Sequence, residues 1–392
     1  MGENPILVGG PGMRVGVDAW RIHGHTGVPR YIENIINSWS SGITSTDVKQ
    51  ITLYTPEPID QSRVLLNGSV KEQVIHSYAH QLVWQNTILS RVCDTDVLWC
   101  PAYVTPIFCR ARIVVTTHDA TNTIHPELYG LGDRVFYKYF YGWCARHATL
   151  VITNNNQTRA DIQNYYGVPG DRIRVVPLAP AQIFRKLEND EDANATRLRL
   201  IGDYRPYFLS VGKISGRRNV PLVIEGFARF REKTGLPHRL VVVGRSGLGR
   251  NIGELAKDFG LSEHLIHIDY VTDEELLHLY NGTEAFVTAA TYEANSLTTI
   301  EAQVCGAPVV IPDVPGMVEM TAGIAVILPQ VGAKEISEAM EKLATEHNLH
   351  RRLSEEGHIH ASGFSWGNTS QGILSVLEEA ADISSPALKE SK

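Results

Sequence analysis

Tyr207-Phe208-Leu209-Ser210-Val211-Gly212-Lys213-Ile214-Ser215-Gly216-Arg217-Arg218-Asn219 passes from an apolar run through two glycines and three cations. The run reads as a buried strand and the glycines as the turn at its end, with a helix to follow from Val220 to Lys233. The pattern then recurs downstream. Strands at Arg239 to Val243, Ile266 to Ile268, Ala285 to Val287 and Pro308 to Ile311 alternate with helices at Ile252 to Phe259, Glu274 to Tyr280 and Leu297 to Cys305. Upstream, strands at Met13 to Val17, Arg112 to Thr117 and Thr149 to Thr153 precede helices at Arg30 to Trp39, Asp133 to His147 and Gln157 to Tyr166. Strands alternating with helices imply parallel sheets, so the fold class is α/β with two doubly wound, Rossmann-like sheets. No internal repeat of sequence links the two halves.

A chain of 392 residues exceeds what one core comfortably fills. Val175-Val176-Pro177-Leu178-Ala179-Pro180, followed by the acidic Glu188-Asn189-Asp190-Glu191-Asp192, reads as a linker. The expected division is residues 1–12 as a flexible start, 13–182 as a first domain, 183–363 as a second, 364–382 as a terminal helix and 383–392 as a disordered tail.

With 43% hydrophobic and 20% charged residues the chain is globular, and its net charge of −7 argues against extended nucleic-acid binding. Five scattered cysteines without a Cys-x-x-Cys pair argue against a disulfide framework and a zinc site. No apolar run reaches membrane-spanning length, and the start lacks a basic segment followed by an apolar core. A cytoplasmic location, at or near the inner face of the membrane, is the expectation. Arg134-Val135-Phe136-Tyr137-Lys138-Tyr139-Phe140-Tyr141-Gly142-Trp143 is aromatic and cationic, as interfacial helices are, so weak peripheral membrane contact stands beside the reading of a core helix.

Candidate chemistry gathers at the carboxyl ends of strands, where doubly wound sheets bind ligands. Lys213, Arg217 and Arg218, on a loop with Gly212 and Gly216, suit a diphosphate. In Thr291-Tyr292-Glu293-Ala294-Asn295-Ser296-Leu297-Thr298-Thr299-Ile300-Glu301, one carboxylate ends a loop and a second sits on the following helix. Such an arrangement offers backbone N–H groups to phosphate and two acceptors to sugar hydroxyls. His118 closes Thr116-Thr117-His118-Asp119, and Gly24 and Gly27 flank a loop before the first helix. Thr272 and Glu275 have the spacing of a capping box, and Ser365 that of a cap for the terminal helix.

In this order the motifs resemble the retaining glycosyltransferases of the GT-B fold known as group 1 or family 4, bacterial polysaccharide and O-antigen mannosyltransferases among them. The residues that carry the resemblance are Thr26-Gly27-Val28-Pro29-Arg30-Tyr31, Thr117-His118-Asp119, Ser210-Val211-Gly212 with Arg217-Arg218-Asn219, and Tyr270-Val271-Thr272-Asp273-Glu274-Glu275-Leu276. To these are added Glu293 and Glu301 with Cys305-Gly306-Ala307-Pro308-Val309-Val310 behind them, and Phe364-Ser365-Trp366.

The resemblance implies two domains facing a cleft, a terminal helix crossing back to the first, and transfer of a hexosyl unit, with mannose as the guess, from a nucleotide diphosphate sugar. The implied acceptor is a glycan or glycolipid on the first domain, and no cofactor or metal is implied. The implied catalytic residues are His118, Lys213, Arg218 and Glu293; the implied donor-binding residues are Gly27, Gly212, Arg217, Tyr270, Val271, Asn295, Ser296, Leu297 and Glu301. In that scheme Lys213 and Arg218 bind the diphosphate, Glu293 the sugar and Glu301 the ribose. Relative to the family the cations at Lys213 and Arg218 are exchanged, and Ala294-Asn295-Ser296 replaces a glycine-containing loop. A nucleotide-sugar epimerase of the same fold and a non-catalytic nucleotide-sugar-binding protein are the alternative readings.

Overall fold

The computed structural model describes residues 12–24, 27–42, 48–188, 191–247 and 251–383. The expected flexible start, apart from its last residue, and the expected tail after residue 383 lie outside them. Two compact units result, one formed by the chain up to Pro177 with the segment from Trp366 onward, the other by Leu178–Ser365.

In the first unit, β1 (Met13–Asp18), β2 (Val48–Thr55), β3 (Val70–Val74), β4 (Val97–Cys100), β5 (Arg112–Thr116), β6 (Leu150–Thr153) and β7 (Ile173–Val175) form one parallel sheet. The strand order is β3-β2-β1-β4-β5-β6-β7, which reverses direction between β1 and β4. Val17 pairs with Leu53 on one side and Trp99 on the other. The inner strands β4 and β6 are buried at every position, as strands covered by helices on both faces must be. At the edge, β3 exposes Lys71 and Gln73 on the face opposite buried Val70, polar side chains that blunt a free edge.

Aromatic packing holds the helices to this sheet. The fully buried Trp99 donates from Nε1 to Thr116 Oγ1 at 2.9 Å, and its ring meets Trp39 at 5.5 Å and Tyr31 at 5.8 Å, both edge-on. Trp39 and Tyr31 come from the Gly27–Ser40 helix. The terminal helix, Trp366–Asp382, adds Trp366 against Tyr31 at 6.1 Å, and Trp39 Nε1 donates to the Ser370 carbonyl at 3.2 Å. Thr369 Oγ1 donates to the Pro177 carbonyl at 2.8 Å, and Arg174 Nε to Glu379 at 2.8 Å. Two helices expected as continuous contain a wide π turn, at Tyr137–Tyr141 and Ile162–Tyr166. Each turn ends on a buried tyrosine, Tyr141 in the first and Tyr166 in the second.

In the second unit, β8 (Tyr207–Val211), β9 (Arg239–Val243), β10 (Leu265–Ile268), β11 (Ala285–Val287), β12 (Val309–Pro312) and β13 (Val326–Leu328) are again parallel. Their order is β10-β9-β8-β11-β12-β13, with the reversal between β8 and β11. The Val220–Thr234 and Ala333–Thr345 helices cover one face through Val223, Phe227, Ile336 and Met340. The Asp273–Gly282 and Leu297–Val304 helices cover the other through Leu277, Tyr280 and Ile300. The first of these begins with the expected capping box, Thr272 Oγ1 accepting from Glu275 N at 3.1 Å and Glu275 accepting from Thr272 N at 2.7 Å.

Two stability outcomes follow from these cores. Trp99→Ala removes a fully buried ring and its hydrogen bond, and urea unfolding of the first unit is expected to register a loss of about 3–5 kcal/mol. In the second unit His238 is buried, its ring stacked on Phe208 at 5.2 Å and edge-on to Phe230 at 5.3 Å. Burial, with Arg231 nearby as the lesser cause, lowers its pKa to about 4. A depressed imidazole pKa means the unfolded chain takes up the proton first, so the stability from neutral His238 is present above pH ~6.5 and is lost as pH falls toward 4. His238→Phe is expected to remove on the order of 2–3 kcal/mol of that acid-side loss in a pH series of melting curves.

Candidate functional site

At the carboxyl edge of the second sheet, backbone geometry dictates residue type. Gly212 continues β8 with φ +124° and donates to the Val243 carbonyl at 2.9 Å; Gly244 continues β9 with φ +142° and donates to the Ile268 carbonyl at 2.8 Å. A Cβ on Gly244 would stand 2.2 Å from the Gly212 carbonyl oxygen, so the two turns fit only as glycines. Ile214 N donates to Arg245 O at 3.0 Å and Gly247 N to Ile214 O at 2.7 Å, which fixes the path of the cationic loop. Lys213 is exposed, its Cε 3.4 Å from where a Cβ on Gly247 would lie.

Arg217 and Arg218 occupy a single 3-10 turn, Gly216–Arg218, closed by Asn219 in the left-handed region at φ +51°. Both guanidinium groups converge on Glu293, Arg217 Nη1 at 3.2 Å and Arg218 Nη2 at 3.4 Å from the same carboxylate oxygen. Arg217 Nη1 also donates to the Tyr292 carbonyl at 2.6 Å, and Thr291 N to the Arg217 carbonyl at 2.9 Å, so the two loops are laced together. Arg218 lies flat over the first turn, donating to the Val211 carbonyl at 3.1 Å. A Cβ on Gly212 would come within 2.6 Å of its Nη1. Glu293 is buried, yet its Oε2 accepts no hydrogen bond from the described residues; the two cations stand at ion-pair distance without aiming a hydrogen at it. A carboxylate oxygen held by charge alone keeps its lone pairs for a hydroxyl donor.

Glu301 lies one turn into the Leu297–Val304 helix and accepts from the Tyr280 hydroxyl at 3.2 Å. Burial first, then the neighbouring Glu301, raises the Tyr280 pKa far above its ordinary value, while Arg218 acts in the opposite sense. Glu301 and Arg218 therefore share one electrostatic neighbourhood. In the connecting loop Ser296 is buried with its Oγ 2.5 Å from Thr299 Oγ1, and Leu297 N donates to Asn295 O at 3.0 Å. The non-glycine residues of positive φ among those described are Tyr103, Asn219 and Ala322, so Ala294, Asn295 and Ser296 occupy ordinary backbone. Here the loop without glycine carries no left-handed strain. Tyr270 is 74% exposed beside buried Val271 at the end of β10.

In the first unit, Gly27 is the exposed first residue of its helix, with open space where a Cβ would stand. His118 follows β5 but is buried. Its Nδ1 stands 3.1 Å from Asn154 Oδ1 and its Nε2 2.9 Å from the Pro101 carbonyl, with the rings of Tyr31 and Tyr103 at 4.9 and 5.6 Å. Burial lowers its pKa, the contacts to Pro101 and Asn154 act in the opposite sense, and the same contacts fix the ring's orientation. Asp119 accepts from Thr121 N at 2.9 Å and from the Tyr103 hydroxyl at 2.8 Å. Tyr103, at φ +58°, is a participant that its sequence neighbours gave no means to find, because it reaches the site through a backbone kink. Among the described residues no group of three or more His, Cys, Asp and Glu side chains is placed to hold a metal ion, and no helix is long and apolar enough to cross a membrane.

The chain is similar to proteins already known. Residues 196–360 match the model for glycosyl transferases group 1, and residues 53–179 that for glycosyltransferase family 4. The serotype-specific mannosyltransferase WbdA of Escherichia coli is 24% identical over 286 residues, 69% of this chain and 34% of that protein. The O-antigen chain mannosyltransferase B of the same organism is 26% identical over 274 residues, 67% of this chain and 69% of its own length. The chain thus spans 34% of the length of the first of these relatives. Among solved structures, Anabaena Alr3699/HepE in complex with UDP and glucose superposes with a TM-score of 0.72 at 14% identity, covering 94% of this chain and 100% of that one. That likeness establishes a common fold.

Gly212→Ala tests the local constraint: the new methyl displaces the Arg218 guanidinium and strains a positive φ, with an expected cost of about 1–3 kcal/mol in thermal unfolding. A stability equal to wild type would mean that Arg218 does not depend on the bare backbone beneath it.

Proposed function

The chain belongs to the glycosyl transferases of group 1, and on that premise we propose that it transfers a hexosyl unit from a nucleotide diphosphate sugar to a glycan or glycolipid acceptor with retention of anomeric configuration. The convergence of Arg217 and Arg218 on the buried Glu293, at the point where strand order reverses between β8 and β11, is the observation that carries the reading. Lys213 and the two arginines would receive the diphosphate, and Glu293, relieved of its ion pairs, would accept from a donor-sugar hydroxyl. Glu301 would accept from the ribose. Tyr270 and Val271 would border the base, and the Asn295, Ser296 and Leu297 backbone with Gly212 would line the phosphate path. From the first unit, Gly27 and His118 would serve the transferring sugar and the acceptor. The names of the E. coli relatives favour a mannosyl unit, and guanosine diphosphate as its carrier is the working choice.

The step balances without a protein nucleophile. The sugar C1–O bond to phosphate breaks with its electron pair leaving on the phosphate oxygen, while the acceptor oxygen bonds C1 on the same face. The acceptor proton passes to the departing phosphate. Charge develops on the leaving group, so catalysis consists mainly of cations placed where that charge appears. An ammonium and two guanidinium groups can supply that compensation without a metal ion.

Acceptor-dependent release of nucleotide from GDP-mannose and UDP-glucose, with and without a chelator, tests the scheme. Arg218→Ala and Glu293→Ala are each expected to lower turnover about 10²–10³-fold with the fold intact, and chelation to leave it unchanged. Full activity in both variants would remove these residues from catalysis. Conversion of donor without an acceptor would favour an epimerase, and binding without either reaction a non-catalytic protein.

A further inference from the structure

Arg21 stands on the Trp20–His23 turn that follows β1, where the first sheet reverses its strand order between β1 and β4. That is the ligand edge of a doubly wound sheet. The side chain is half-buried and braced: Nε donates to Gln81 Oε1 at 3.1 Å, and the Tyr141 hydroxyl lies beside it. Asp18 feels its charge, but among the described residues the guanidinium has no ion-pair partner. Among the described residues no carboxylate comes within the 4.0 Å of an ion pair. Its nearest candidate, buried Asp18 at the end of β1, is committed to Trp20 N at 3.2 Å and to the Gln85 amide. Asp119, after β5 and so two strands away in the sheet, is committed to Thr121 N and Tyr103.

A partly buried charge without a partner is costly, and a guanidinium fork held by one edge presents its remaining donors in the geometry of an oxyanion. We propose that Arg21 is an acceptor-specificity residue, reading a phosphate group carried by the acceptor. The proposal rests on the glycosyl-transfer reading above, in which the donor diphosphate has its own cations, Lys213, Arg217 and Arg218, on the second unit. The anion left for Arg21 is one that the acceptor brings. A phosphodiester between sugar and lipid has that chemistry, and so does free phosphate.

Calorimetric titration of the full chain in saturating GDP separates these sources with three probes: a mannosyl decyl phosphodiester, the decyl mannoside that lacks the phosphate, and inorganic phosphate. The phosphodiester is expected to bind at least ~10-fold more tightly than the mannoside, Arg21→Gln to abolish the difference, and Arg21→Lys to retain part of it. The Kd for GDP should be the same in all three proteins. A wild-type chain that binds phosphodiester and mannoside alike overturns the proposal, as does a difference that survives Arg21→Gln. Inorganic phosphate binding as tightly as the phosphodiester also overturns it, making this a free-phosphate site. Absence of GDP and UDP binding would instead count against the nucleotide-sugar reading, since that readout is independent of Arg21.

Discussion

A buried carboxylate between two arginines organises the second unit. Glu293 could not be taken from water without compensation, and Arg217 and Arg218 provide it from a loop that β8 delivers to the same edge. Much around the pair follows from that need. Gly212 is bare because its φ of +124° requires it, which lets Arg218 lie against it; Gly244 must be bare because the Gly212 carbonyl lies against it in turn. Asn219 turns left-handed to start the helix that covers the sheet, and the Tyr292 and Arg217 carbonyls tie the two loops. The network is charged but incompletely hydrogen-bonded, a state that favours exchange of partners over rigidity.

Both sheets obey one topological rule. Each places its reversal between the first strand and the strand that crosses over, β1 with β4 and β8 with β11, and each puts its charged side chains beside that gap. The chemistry differs between the two. The second unit offers cations against a buried carboxylate, suited to a diphosphate and a sugar. The first offers a buried, oriented His118, a committed Asp119 and the Arg21 guanidinium, which has no ion-pair partner among the described residues.

How much was legible in the sequence depended on burial. Tyr207–Val211, Arg239–Val243 and Ala285–Val287 are buried on both faces, and each stands where its apolar run places it. β2, β3, β4, β7 and β13 were not anticipated. β3 alternates Lys71, Glu72 and Gln73 between valines, and β7 and β13 have only three residues each, too few for a period to emerge. The linker prolines marked the junction near residue 182, and the units divide at Pro177. At the site, the glycines and cations could be read because turn chemistry restricts residue type. That Arg217 joins Arg218 on Glu293 could not, since pairing across a sheet edge leaves no mark on local sequence. Without glycine at Ala294-Asn295-Ser296 the loop is confined to ordinary backbone, and no positive φ occurs there.

In the proposed function the β8–β11 edge is a nucleoside diphosphate site built on charge exchange at Glu293. Binding of GDP and of UDP, measured by calorimetry at low and high salt with Glu293→Gln beside wild type, addresses it most directly. One diphosphate per chain is expected, with an affinity that falls with salt and unchanged or tighter binding in Glu293→Gln, because the arginines no longer have to leave a carboxylate. Diphosphate binding that is indifferent to salt, or that is lost in Glu293→Gln, would contradict it.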